Sequence, residues 1–151
     1  MSLKFAADST LGKLAKWLRI LGFDTTLDTE DSGEIFSDHA INERIVVTRT
    51  GKIRKRFSDR KLIFITSNNP GMQLKQVITE IGIRRSDLRP FHRCIRCNVA
   101  IVDVEPCDVY GQIPDYIYQS YSRFKKCPQC DRIFWSGSHT RRALERIQKL
   151  F

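Results

Sequence analysis

Two cysteine pairs stand in the C-terminal third of this 151-residue chain, Cys94-Ile-Arg-Cys97 and Cys127-Pro-Gln-Cys130, with 29 residues between them. Two thiolates separated by two residues can turn onto one ion, and two such knuckles supply the four ligands of a tetrahedral structural zinc site. The same cysteines could form two disulfides in an oxidising compartment. The opening MSLKFAADST, however, has neither the apolar core nor the cleavage site of a secretory leader, so a cytoplasmic thiol–metal site is expected. A redox dithiol would need only one pair. Cys107 lies outside both pairs and reads as a small buried or half-buried thiol.

A second kind of chemistry is open to the carboxylates near the start of the chain. Asp8 follows the apolar run Leu3–Ala7 directly, and Asp28, Glu30, Asp31 and Glu34 follow the short run Thr25–Leu27. Acids gathered at the ends of parallel strands can hold Mg²⁺ or Mn²⁺, which activates water and offsets charge during phosphodiester cleavage. An aspartate at position 8 also suits a helix N-cap, and the second acidic group also suits a solvated helix start.

The elements that must position these groups are legible as alternating strand and helix patterns. Ser9–Leu21 carries Leu11, Leu14, Ala15, Leu18 and Leu21 on one helical face, with Lys13 and Lys16 turned away and Gly22 as a stop. A second helix is expected over Ser32–Glu43, burying Ile35, Phe36, His39 and Ala40, and a third over Met72–Ile81. Ile45–Thr48 and Leu62–Thr66 are apolar, β-branched runs suited to strands buried on both faces. This alternation predicts an α/β fold, a parallel sheet flanked by helices, with ligands at the carboxyl ends of its strands. Residues 1–90 form this unit and residues 91–151 the zinc ribbon, with the turn-rich stretch Ile83–Pro90 as linker. In the ribbon, strands are expected at Val99–Val104 and Arg132–Trp135, and a basic helix at Thr140–Leu150.

The chain carries 26 Lys and Arg against 17 Asp and Glu, a net charge of +9, spread as +5 before Pro90 and +4 after it. Such an excess favours a polyanion, RNA or DNA, because each phosphate neutralised releases counterions. The basic run Lys52-Ile53-Arg54-Lys55-Arg56 is a candidate backbone contact, and equally a solvated helix face. Tyr116, Tyr118, Tyr121 and Phe124 could stack bases or pack the ribbon. No stretch of 18 apolar residues exists, so no membrane span is expected.

Read together, several segments resemble the Mut-seven C-terminal RNase domain family, a PIN-like nuclease fold fused to a C-terminal zinc ribbon. The resemblance rests on Lys4–Asp8, Leu11–Thr25, Val47–Arg49, Phe91–Asn98 and Cys127–His139, and covers nearly the whole chain. It implies a metal-dependent ribonuclease with Asp8 as one metal ligand and Asp31 or Glu34, near the start of the second helix, as another. RNA contacts are then expected from Lys13, Lys16, Arg49, Lys52, Arg54, Lys55, Arg56 and His139. The family pattern has an aspartate where this chain has Thr50, and acids are common where it has Asn68 and Asn69. Two other readings follow from those departures and from the ribbon. One is an RNA- or ribonucleoprotein-binding protein that has lost catalysis. The other is a protein-interaction module built on the ribbon.

Overall fold

The computed structural model describes residues 2–28 and 41–151. Asp31, Glu34 and most of the helix expected over Ser32–Glu43 lie outside the described residues.

Four strands, β1 (Lys4–Ala7), β2 (Asp24–Leu27), β3 (Ile45–Thr48) and β4 (Leu62–Phe64), form a parallel sheet in the order β2-β1-β3-β4. Phe5 pairs with Thr25 on one side and Ile45 on the other, and Thr48 pairs with Phe64. Because β1 has its sequence neighbour on one side and β3 on the other, the chain reverses its winding at the carboxyl ends of β1 and β3. A crevice opens at such a switch point.

Alternation along the strands assigns the two faces. Phe5, Ala7, Ile45, Val47 and Ile63 point into one core with α1 (Gly12–Ile20) and α3 (Pro70–Ile81), which bury Leu14, Ala15, Leu18, Leu74 and Val77. Ala6 and Val46 point the other way, onto Ile41 and Phe57, with Ile53 of α2 (Gly51–Arg56) packed alongside. Both faces are therefore covered, as all-parallel sheets require. The first helix enters through a 3₁₀ turn at Ser9–Leu11, and the fourth strand is shorter than its apolar run.

The stretch expected as a linker is packed. Ile83 is buried, and Arg89 and Phe91 donate backbone hydrogen bonds to the carbonyls of Leu21 and Ile20. Gly22, at φ 101°, makes this approach possible, since a Cβ there would meet the Arg89 carbonyl oxygen at 2.5 Å.

In the C-terminal part, β5 (Val102–Val104), β6 (Phe124–Lys126) and β7 (Ile133–Phe134) form an antiparallel sheet in that order. Two short helices, α4 (Pro106–Val109) and α5 (Asp115–Ser120), lie between β5 and β6. The closing helix α6 (Ser138–Gln148) buries Ile147 in the same core as α1, while Leu144 is exposed. Among the described residues, no helix is long and apolar enough to cross a membrane.

Side-chain amides meet both outer strands of the parallel sheet. At β4, Gln76 donates to the Phe64 carbonyl at 2.8 Å and accepts from the Thr66 N–H at 3.2 Å, as a neighbouring strand would. At β2, Asn98 accepts from the Thr25 N–H at 2.9 Å. Unpaired edge groups invite association with other chains, and these contacts satisfy three of them.

Candidate functional site

The two cysteine pairs fold as copies of one turn. Cys97 and Cys130 aim their backbone N–H groups at the Sγ atoms of Cys94 and Cys127, at 3.4 and 3.5 Å. Asn98 and Asp131, each at φ 62°, turn the chain back so that their N–H groups reach the Cys94 and Cys127 carbonyls, both at 2.9 Å. Asn and Asp tolerate this left-handed conformation better than most side chains.

All four sulfurs lie within 4.8 Å of one another, and Cys94 Sγ and Cys130 Sγ are 3.9 Å apart. A disulfide would require about 2.05 Å. Four sulfurs at about 2.3 Å from a central zinc would stand about 3.8 Å apart, so these residues fit the ion. Burial and hydrogen bonding among the thiols push Cys97 up to about 12. Burial also opposes ionisation of Cys127, but N–H groups of Cys130 and Gln129 outweigh it and bring that thiol down to about 7. Zinc supplies the positive charge that four adjacent thiolates need. Cys107 is exposed, contrary to the buried or half-buried placement expected for it, because it sits on α4 rather than in the ribbon core.

The acidic site is built at the switch point. Asp8 is 1% exposed. Its Oδ1 accepts from the Thr10 N–H at 2.8 Å and the Thr10 hydroxyl at 2.5 Å. Its Oδ2 accepts from the Thr48 hydroxyl at 2.6 Å and the Arg49 N–H at 2.7 Å. Asp8 is thus a cap for the first turn and, at once, a staple between the ends of β1 and β3. Four donors match the lone-pair capacity of a carboxylate. Two of them are hydroxyls that rotate, and Thr50 Oγ1, 3.3 Å from Thr48 Oγ1, offers the Thr48 proton another acceptor.

Asp28 extends the β1–β2 register by one residue, its N–H donating to the Ala7 carbonyl at 2.9 Å. It therefore neighbours Asp8 across the sheet edge. Its Oδ1 is buried and, among the described residues, has no hydrogen-bond partner, an arrangement that costs free energy unless a counter-group answers it. Asp8 and Asp28 are thus register neighbours at the carboxyl ends of β1 and β2. At the end of β3, Thr50 caps α2 by accepting from the Ile53 N–H, and beyond β4 Asn68 accepts from the Arg49 guanidinium.

The expected RNA-contacting cations fall into groups. Arg49 lies half-buried just beyond β3, and Lys52 and Lys55 are exposed on α2, which follows it. Arg54 and Arg56 lay their guanidinium groups over Phe64 and Phe57, at 4.5 and 4.8 Å from the ring centres. Arg54 also lines an open groove of about 740 Å³ along the outer edge of β4. Lys13 and Lys16 are exposed on α1. His139 is exposed in the first turn of α6, and among the described residues no hydrogen bond joins it to the sheet edge. Sequence reasoning passed over Asn98, Asp24 and Arg44, which bolt the first knuckle to β2. The signal available was an Asn at the left-handed position after a Cys-x-x-Cys pair.

The fold and the site define an α/β protein: a four-stranded parallel sheet flanked by helices, joined to a four-cysteine, zinc-ribbon-like module. A family model described as the Mut7-C RNAse domain matches residues 3–147, and the chain belongs to that family. Searches of curated proteins and of solved structures returned no match. Membership carries a ribonuclease-like role, and the four-cysteine cluster carries structural metal binding.

Proposed function

We propose that this protein is a PIN-like, cytoplasmic RNA-binding ribonuclease that holds RNA across the carboxyl edge of its parallel sheet and cleaves phosphodiesters with Mg²⁺ or Mn²⁺. The observation that carries this reading is the register adjacency of Asp8 and Asp28, with a buried Asp28 oxygen that has no partner among the described residues. Asp28 and Asp8 would hold the ion, joined by Asp31 and Glu34 as the family resemblance implies. Such an ion, when bound, lowers the pKa of water and neutralises charge on the scissile phosphate. The chain's own residues orient the site. Thr48 and the Arg49 N–H fix Asp8 in place, and Lys52 and Lys55 lie where an RNA backbone approaching the crevice would need cations. With neutral Thr50 and Asn68 at the edge, RNA phosphates would complete the ion's coordination.

A second reading, RNA binding without cleavage, is favoured by the four hydrogen bonds that already engage Asp8. The test is cleavage of single-stranded and structured RNA with Mn²⁺ by wild type and Asp28→Asn, alongside RNA affinity. Asp8→Asn is the poorer variant, since it breaks the staple between β1 and β3 as well as the site. Cleavage that falls by about a hundredfold or more in Asp28→Asn, at unchanged RNA affinity, supports the ribonuclease. Wild type that binds RNA and leaves it intact replaces the first reading by the second.

A further inference from the structure

Charge in this chain is sharply segregated. Between Arg96 and Arg123 there is no Lys or Arg, although the chain has 26 of them, and this stretch holds Asp103, Glu105, Asp108 and Asp115. Against a whole-chain net charge of +9, the segment carries −4, which leaves +13 for the remainder. All four carboxylates are exposed, and none forms an ion pair among the described residues.

Asp103 lies on β5, and the rest of the acidic group, Glu105, Asp108 and Asp115, lies on the arm of α4 and α5, which also displays aromatic surface. Tyr110 and Tyr116 are 70% and 68% exposed. The Tyr110 ring is not loose: it meets Tyr118 edge-on at 5.3 Å, and Tyr118 stacks on the buried Phe124 at 6.4 Å. A ring fixed in this way has little entropy to lose on binding, which is why tyrosine recurs at binding hot spots.

We propose that the α4–α5 arm is a docking surface for an extended, arginine-rich protein segment. Guanidinium groups bind carboxylates in bidentate pairs and stack on tyrosine faces, so one residue type satisfies both features of the arm. RNA is the wrong occupant, because the arm's three exposed carboxylates, Glu105, Asp108 and Asp115, repel phosphates. The two helices span only 4 and 6 residues, a footprint suited to a linear segment rather than a broad interface. The proposal goes beyond the ribonuclease reading and does not depend on whether the sheet edge cleaves RNA.

The experiment titrates the full zinc-loaded chain with a fluorescein-labelled arginine–glycine peptide of roughly twelve residues, with a glutamate-for-arginine peptide as control. The double variants Tyr110→Ser/Tyr116→Ser and Asp108→Asn/Asp115→Asn are expected to weaken arginine-peptide binding by about tenfold or more, with RNA affinity and zinc content unchanged. Amide shifts in wild type, which need no variant to fold, should cluster at Tyr110 and Tyr116. Four outcomes overturn the proposal: shifts elsewhere, unaltered peptide affinity in both variants, equal binding of the glutamate peptide, or an equal loss of RNA affinity. So does wild-type self-association in sedimentation that the tyrosine variant abolishes, since the occupant would then be a second copy.

Discussion

Asn98, the residue that turns the chain after the first cysteine pair, donates to Asp24 Oδ1 at 2.7 Å, and Arg44 donates to that same oxygen at 2.9 Å. Asn98 also accepts from the Thr25 N–H, and Arg19 reaches from α1 to the Ile95 carbonyl at 2.8 Å. The zinc knuckle is thereby bonded to the edge strand of the parallel sheet. Substituting Asn98→Gly keeps the left-handed turn while removing both amide bonds. A loss of about 1–3 kcal/mol is expected in urea denaturation, because Thr25 N–H and one position on Asp24 lose their partners. Asn98→Ala should cost more, since alanine is strained at φ 62°. Equal stability of wild type and Asn98→Gly would show that the contact contributes nothing.

Acid should loosen the same junction. Burial opposes the charge of Asp24, but hydrogen bonds from Arg44 and Asn98 outweigh it and hold the carboxyl below its usual value of 3.8. A carboxyl depressed by folding adds stability that is complete above its unfolded pKa and is lost as pH falls through the folded one. Wild type and Asp24→Asn should therefore differ most near neutrality and converge as pH drops below about 3.8. Urea midpoints measured across pH 7 to pH 3, on the order of the carboxylate range, check this. A gap that widens toward acid would refute it.

Removal of zinc should be felt in both halves of the molecule. Chelation is expected to release one zinc and to raise the thiols open to a disulfide reagent from one, the exposed Cys107, to all five cysteines. Because Asn98 is held by the knuckle, the Thr25 amide should then exchange with solvent faster. Mass-resolved hydrogen exchange before and after chelation distinguishes the cases. Unchanged exchange across β2 would mean that the ribbon and the sheet are energetically separate.

Much of this architecture was legible because the deciding residues are local. Leu11, Leu14, Ala15 and Leu18 announce α1 by their spacing, and the strands announce themselves by unbroken apolar runs such as Ile45–Val47. The cysteine spacing alone pointed to the four-sulfur cluster. What stayed hidden depends on contacts across the fold. Nothing local distinguishes Gln76 from other polar residues, and the place of Asn98 after a cysteine pair marks a turn but not its bonds to β2; both roles exist only once β2 and β4 become edges. The role of Asp8 was half visible: the cap to Thr10 is two residues away, whereas the bonds from Thr48 and Arg49 cross 40 residues or more of sequence. Short α4 and α5 were missed because proline starts and exposed tyrosines give no amphipathic period.

Thr50 offers a gain-of-function test of the sheet edge. It lies two residues beyond β3, caps α2 by accepting from the Ile53 N–H at 3.4 Å, and stands where the family resemblance implies an aspartate. Aspartate is as good a cap as threonine, so Thr50→Asp should fold without loss while adding a carboxylate beside Asp8 and Asp28. A third charge should tighten Mn²⁺ binding by about tenfold or more, read by calorimetry in the absence of RNA. If Asp8 and Asp28 belong to a divalent site, RNA cleavage should rise in parallel, and Asp28→Asn in the Thr50→Asp background should cancel both gains. If Mn²⁺ affinity does not change, the three positions do not converge on one ion, and the acids at the ends of β1 and β2 serve the fold alone.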